Sequence, residues 1–360
     1  MTTVTSPSLS NVAIIGAGIT GLACANRLVE HGVAVTVFDK ARGPGGRMST
    51  KRLDQAQLDL GAQAFTARDP TFRDAVADWL ASGLVARWPI VSYQASPNGW
   101  QLHHDSRPRY TGVPRMSAIT RHLAARFQAH PQTALQLATR IEALHRSPKG
   151  WQLQDAQGRG YGPFDHVVLT TPPPQALPLV APWETTLAEA CQAREQRSCW
   201  AAWAVLDGPL PTPPGSQSDW QMARIEHPAL RLVSRNQTKP GREHQPESLS
   251  LMAHLDWSET HLEDDPQAVA ESLWAAFTTL FPADTPLPLR VTSSAHRWRY
   301  AQPSTADDQL YLYSDSGLAM CGDSFTASRV ESAWVSGTQS AQALIDRSVH
   351  NRASSSHSNK

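Results

Sequence analysis

Gly16, Gly18 and Gly21 stand in the spacing G-x-G-x-x-G, and Asp39 follows 23 residues after Gly16. Residues of these types at this spacing bind a dinucleotide. One glycine makes a tight turn, one lets a pyrophosphate approach the backbone, and one lets a helix pack closely on a strand. The helix that follows offers free N–H groups and the positive end of its dipole to the phosphates. A carboxylate about 20 residues farther on accepts hydrogen bonds from a ribose. Asp39-Lys40-Ala41-Arg42-Gly43-Pro44-Gly45-Gly46-Arg47 then forms a glycine-rich loop holding two arginines. Such a loop lies against a second extended phosphate and sugar, and Arg47 neutralises a phosphate.

These residues need elements to position them. Val12-Ala13-Ile14-Ile15 reads as a buried parallel strand, Leu22 to Ala25 opens a helix, and Ala34 to Phe38 is a second strand ending on Asp39. A lone glycine motif is weak evidence; strand, helix, strand and terminal acid together are strong. Far along the chain, Gly317 to Cys321 is a small apolar strand ended by Gly322-Asp323, and Val330 to Gly337 runs into a helix.

The whole chain sets bounds. Its 360 residues suit two or three domain-sized units. Lysine plus arginine equal aspartate plus glutamate at 32 each, so no net field draws nucleic acid or an anionic membrane. No apolar run reaches the roughly 20 residues that span a bilayer. Met1 to Ser10 shows neither the basic segment nor the apolar core of a signal peptide. Cys24, Cys191, Cys199 and Cys321 lack metal-type spacing, so no metal is expected, and they fit a reducing cytoplasm.

Along the chain, residues 70–83 carry helical spacing, short strands are expected over 84–91 and 99–104, and Pro114 to Phe127 reads as a helix. Segments at 134–137, 140–144 and 151–153 alternate like strands of a small antiparallel sheet. Asp165 to Thr170 is a strand returning to the nucleotide domain, stopped by Pro172-Pro173-Pro174. Cys199 to Leu206, Ala229 to Asn236 and Ser248 to Leu255 are strands, Pro209 to Gln217 a proline-rich loop, and Ala268 to Phe281 a helix. The fold class expected is α/β (α+β in its two-domain form): a Rossmann-like dinucleotide-binding domain plus a sheet-based substrate domain. Residues 1–69, 105–175 and 290–348 would make a discontinuous cofactor-binding domain. Residues 70–104 and 176–289 would make the substrate domain, and 349–360 a disordered tail.

Asp39 followed by the Gly45-Gly46-Arg47 turn resembles the second signature of the amine-oxidase-like FAD flavoproteins. Over Val12 to about Leu344 the chain resembles the renalase family within that group, its bacterial branch in particular. The motifs are Phe38 to Gly43 with Gly45 to Ser49, Gly61-Ala62-Gln63 with Phe65 to Asp69, and Ser234-Arg235-Asn236 with Lys239 to Arg242. Ala295 to Trp298 and Cys321-Gly322-Asp323 with Arg329-Val330-Glu331 complete them. The resemblance implies non-covalent FAD held by Gly16, Gly18, Thr20, Gly21, Asp39, Lys40, Arg42, Gly46, Arg47, Ile141, Gly322, Asp323, Val330, Glu331 and Ala333. It also implies that Gly61, Ala62 and Gln63 cross in front of the flavin ring, with Gln63 hydrogen-bonding cofactor or substrate. Asp323 would accept from ribityl hydroxyls, and the helix from Val330 would aim its positive end at the pyrimidine. Ala64 departs from the aromatic of the bacterial proteins, and its smaller side chain would widen or reshape the pocket.

The activity implied is oxidation of 2- and 6-dihydro-NAD(P) isomers, with hydride passing to flavin, oxygen becoming hydrogen peroxide, and NAD(P)+ leaving. Loss of hydride makes the ring aromatic, so the site needs stacked geometry and no general base. Strand parity puts Ser248, Ser250, Met252 and His254 on one face, and His296, Trp298 and Tyr300 on one face of another strand. Trp298 would wall in the flat substrate, Asn236 would bind the nicotinamide carboxamide, and His254 would position the ring. The alternatives are an amine or other small-molecule oxidase or desaturase on the same scaffold, and a flavin-binding sensor.

Overall fold

The structure is a computed structural model that describes residues 9–213, 220–305 and 308–357. Two compact units are present. The first takes residues up to 46, 120–196 and those from 302 on; the second takes 47–119 and 197–301.

The first unit is built on a six-stranded sheet. Asn11–Ile15 lies inside it, between His166–Leu169 and Ala34–Phe38, and pairs parallel with both. Leu318–Cys321 continues the parallel order, and Tyr311–Tyr313 closes that edge antiparallel. Apolar residues run continuously along the central strand because both faces are covered. Val12 and Ile14 pack with Cys24, Ala25 and Leu28 of helix Ile19–Val29 and with Ala341 and Leu344 of the last helix. Ala13 and Ile15 pack on the other side with Trp151, Phe164 and Leu179.

Several expectations are corrected here. Thr133–Gln136 joins the edge of the parallel sheet beside Ala34–Phe38 and takes no part in the small antiparallel sheet. That sheet consists of Ile141–Ser147, Gly150–Asp155 and Gly160–Phe164. The last helix runs from Val330 to His357, so residues 349–357, expected as a disordered tail, continue it. Residues 176–196, assigned to the substrate domain, belong to the first unit because Leu179, Leu187 and Cys191 complete its core.

The second unit carries a seven-stranded sheet. Its order is Arg290–Pro303, Gln196–Leu206, Ser248–Ala253, Leu230–Arg235, Met222–Ile225, Ser92–Ser96 and Gly99–His103. One face is covered by helix Pro266–Thr278. Its Val269, Leu273 and Phe277 recur at helical spacing and meet Leu230, Val233, Leu249 and Leu251 of the sheet. Each side chain buried this way stabilises the unit by about 1.5–3 kcal/mol. The helix begins two residues before its expected start because the Asp265 side chain accepts from the N–H groups of Gln267 and Ala268, with Pro266 at the first position.

Residues 47–69, 105–119 and 290–301, expected with the cofactor domain, lie in this second unit. Ala56, Leu58 and Leu60 pack there on Trp203 and Met252, on the face of the sheet opposite the helix. The helix expected from Pro114 starts at Ser117. The Pro114 carbonyl accepts from Arg242, and the Met116 N–H donates to Asp59, so these residues are already held in a turn. The strand expected over 84–91 is Val85–Arg87 alone. Of the proline-rich loop, residues 214–217 lie outside the described residues.

In the first unit, a Cβ on Gly337 of the last helix would lie 2.2 Å from the carbonyl oxygen of Thr20. An exposed helical Gly→Ala gains about 1 kcal/mol. Gly337→Ala should instead lower the thermal midpoint, because forcing the two helices apart costs about 1–3 kcal/mol. Calorimetric unfolding measures it; an unchanged or raised midpoint refutes the close contact.

Candidate functional site

In the first unit the two cofactor signatures meet. Gly16, Asp39 and Gly322 each follow the carboxyl end of a strand in one parallel set, where ligands bind in open α/β sheets. Gly16 has a φ of +119°, and a Cβ there would lie 2.4 Å from Thr170 Oγ1. A Cβ on Gly21 would lie 1.9 Å from the Gly16 carbonyl oxygen, so helix and strand touch there. A Cβ on Gly18 would meet nothing within 4 Å. Gly18 is also the N-cap of its helix and brings no side-chain cap. This open backbone at a helix N-terminus fits the pyrophosphate of FAD.

The neighbouring groups agree with that fit. Asp39 is oriented by backbone N–H groups, from Ala17 to one oxygen at 2.6 Å and from Ala41 to the other at 2.8 Å. Its remaining lone pairs suit ribose hydroxyls. Lys40 and Arg42 are exposed beside it, and Gly46 takes a φ of +52° with its Cβ position 3.4 Å from Gly18 Cα. Ile141 is buried in the core under this loop, and the Thr139 N–H donates to the Asp39 carbonyl. Gly322 has a φ of +140°, its Cβ position is 4.0 Å from Thr20 Oγ1, and its N–H donates to Ser336 Oγ at 2.7 Å. Thr20 therefore links the two signatures. Asp323, Val330, Glu331 and Ala333 are buried in or before the first turn of the last helix.

The second unit holds the remaining predicted residues. Ala62 N–H donates to the Arg47 carbonyl, and a Cβ on Gly61 would lie 1.9 Å from that same oxygen. Arg47 Nη1 donates to the Ala301 carbonyl at 3.0 Å. At the centre is Asp59, which is fully buried. Its Oδ2 accepts from Lys239 Nζ at 2.9 Å and from Arg242 Nη2 at 2.6 Å. Its Oδ1 accepts from Thr50 and from the Met116 N–H. Burial alone would raise the Asp59 pKa, but the two cations and the Thr50 hydrogen bond outweigh it and hold the carboxyl at about 2. Lys239 is pushed down to about 8, by burial first, with Arg242 adding to it and Asp59 opposing.

Three of the predicted residues make protein contacts in this cluster. Asn236, expected to bind the substrate carboxamide, is fully buried. Its Oδ1 accepts from the Asp59 N–H and Arg242, and its Nδ2 donates to Ser250. Gln63, expected to reach cofactor or substrate, donates to the carbonyls of Asp59 and Gly61. Its Oε1 accepts from Lys239, and an ammonium can only donate, which fixes the amide orientation. Trp298, expected to stack on the substrate, donates its indole N–H to the Leu60 carbonyl at 2.8 Å and packs edge-on against His296. All three hold the Asp59–Gln63 turn in shape.

A cavity of about 920 Å³ opens on this turn, entirely within the second unit. Gly61, Gln63, Ala64 and Trp88 line it together with Leu232, Met252 and His254 from the sheet. The predicted His254 therefore reaches the cavity, while Asn236 and Trp298 do not line it. Arg87, Arg107, Arg109, Arg224 and Arg231 also line it, against the single acid Asp105. Hydrogen bonds from Arg107 and Arg109 hold the Asp105 carboxyl well below the usual range. Sequence reading missed Asp59, Lys239 and these arginines. The only local signal was an aspartate between Leu58 and Leu60 and two cations in a motif already noted.

Among the described residues no helix is long and apolar enough to cross a membrane, and no cluster of histidine, cysteine and acid side chains could hold a metal. Residues 14–79 match a family described as an NAD(P)-binding Rossmann-like domain, and residues 74–345 match the family described as flavin containing amine oxidoreductase. Mouse (Mus musculus) renalase is 23% identical over 336 residues, covering 89% of this chain and 94% of that protein. Two solved structures share the fold at 13% identity, each covering 94% of this chain and 99% of the other. One is a putative protoporphyrinogen oxidase from Exiguobacterium sp. 255-15, with a TM-score of 0.72; the other is a redesigned putrescine oxidase, with a TM-score of 0.68.

Two outcomes are expected. Gly18→Val should fold, since a side chain meets open space there, yet lose its flavin absorbance, because the side chain takes the pyrophosphate's place. A variant that keeps full flavin occupancy refutes the cradle. Lys239 binds its proton less tightly folded, at about 8, than at its ordinary 10.5. Between those values the unfolded chain holds a proton that the folded one has released, so stability rises with pH. Urea titrations should show wild type gaining on Lys239→Met by roughly 1–3 kcal/mol from pH 8 to 10.5 and by nothing below pH 7. A flat difference refutes the shift.

Proposed function

The chain belongs to the family of flavin containing amine oxidoreductases, and from that premise we propose that it is a renalase-like oxidase of the 2- and 6-dihydro isomers of NAD(P). FAD, when bound, takes the hydride and returns two electrons to oxygen. One dihydropyridine, one oxygen molecule and one proton give NAD(P)+ and hydrogen peroxide.

The sign of charge in the cavity carries this reading. Five arginines face one aspartate there, and that aspartate is already paired with two of them. A primary amine arrives as a cation and finds no unpaired carboxylate among the residues lining the cavity. A dinucleotide arrives as an anion and is attracted over roughly a Debye length, about 8–10 Å. The chemistry agrees. Carbon-bound hydride leaves without a proton, so the lining needs to orient a flat ring and little else. Gly61 and Ala64 leave room for the ring at the Asp59–Gln63 turn, Trp88 and Met252 give it apolar surface, and His254 positions it. The four free, buried thiols support a place in the reducing cytoplasm.

Anaerobic stopped-flow mixing tests the reading. The 2- or 6-dihydro isomers should bleach the flavin rapidly, with a rate nearly flat across neutral pH. Reoxidation in air should release one hydrogen peroxide per turnover. His254→Ala should slow bleaching in part. Rapid bleaching by simple amines with none by the dihydropyridines would move the protein to amine oxidation. A steep pH dependence lost with His254 would overturn the base-free mechanism.

A further inference from the structure

We propose that Arg224 and Arg231 form a phosphate subsite that selects phosphorylated substrates, holding the phosphate or pyrophosphate nearest the ring to be oxidised. The inference rests on the dihydropyridine reading for what lies beyond the phosphate, and on geometry for the subsite itself.

No carboxylate lies within ion-pair distance of Arg87, Arg224 or Arg231 among the described residues, unlike Arg107 and Arg109, which share Asp105. Three cations without acid partners line one cavity, an arrangement that an anion relieves. The sheet places two of them accurately. Arg224 sits opposite both Gln94 and Leu232, and Leu232 sits opposite Met252. Neighbouring strands are about 4.8 Å apart, so Arg224 stands roughly 10 Å from Met252 along the same face. On the Met252 strand, Ser250 donates to the Asp59 carbonyl, which ties this end of the span to the Asp59–Gln63 turn.

Arg231 reaches the same face by an irregularity. Strict alternation would put it on the face opposite Leu232. The register shifts between Leu230 and Leu232, and both Arg231 and Leu232 line the cavity. Arg231 Nη2 donates to the Cys199 thiol at 3.6 Å, which holds the planar fork in place. A fork fixed in advance binds phosphate oxygens in pairs, with less ordering on binding than a free lysine would need.

The test uses holoprotein, whose own FAD fills the dinucleotide site, and ADP as a probe with no redox ring. Titration calorimetry should show ADP binding that weakens with salt. Arg224→Gln and Arg231→Gln should each weaken it by at least about tenfold, as expected for a charge-assisted hydrogen bond. Arg224→Lys should keep part of the affinity, since it keeps charge without the fork. Neither arginine has an acidic partner, so thermal midpoints should hold. With dihydropyridines, the variants should need about tenfold more substrate for half-maximal bleaching while the limiting rate changes little. Dihydronicotinamide riboside, lacking phosphate, should behave alike in wild type and variants. ADP affinity that survives in the double variant overturns the subsite. Unchanged half-saturation by the dihydropyridine dinucleotide overturns it while leaving the oxidase reading intact. ADP binding lost in the variants, with no dihydropyridine bleaching wild type, keeps the subsite and removes that reading.

Discussion

Everything at the working end of the second unit depends on one buried carboxylate. Asp59 joins three separate stretches: its own hairpin, the turn at Pro114–Met116, and the segment from Asn236 to Arg242. Removing three charges from water costs several kcal/mol per ion, so the cluster is no simple source of stability. Its value lies in determination of structure. A lysine, an arginine, an asparagine and a serine each have one satisfactory arrangement around a buried aspartate, and every alternative leaves a charge or an amide unpaired. The Asp59–Gln63 turn is fixed as a result, and the cavity opens on it.

The first unit solves a different problem by a different route. Its cofactor cradle needs backbone close to backbone and few side chains. Thr20 shows how tightly this is drawn. Its carbonyl leaves no room for a Cβ on Gly337, and its hydroxyl stands beside Gly322. Thr20, two residues after Gly18, thus meets the last helix, and it brings together two signatures about 300 residues apart in sequence.

This contrast decides what could be read from the sequence. The glycines, Asp39 and the parallel strands were legible because their reasons are local: a turn, a close approach, a strand of fixed period. The roles expected of Asn236 and Trp298 came from the resemblance and, for Trp298, from strand parity, and neither says which protein groups wait at those positions. Asn236 lies in the turn after the Leu230–Arg235 strand, and the Asp59 backbone and Arg242 meet its side chain there. Trp298 is flat and aromatic, as a substrate wall should be, but Leu60 presents a carbonyl to its indole N–H. The Thr133–Gln136 strand alternates like a member of an antiparallel sheet, and only the free edge of Ala34–Phe38 recruits it elsewhere.

Net charge misleads for the same reason. Equal numbers of acids and bases describe a chain with no overall field, yet they do not describe its cavity. Acids elsewhere pair with cations of their own, on the outside as Glu263 does with Arg297 and Arg299, or inside as Glu247 does with Arg235. The cavity arginines come from stretches between residues 87 and 231, and no window of sequence contains them all. Only the sheet collects them. Positive charge that is spread through the chain and matched there becomes unmatched once folding pairs the acids elsewhere. A local field of this kind selects the charge of a substrate without any residue that acts on it chemically. For a hydride donor that needs no base, selection by charge and a fixed flat surface are enough.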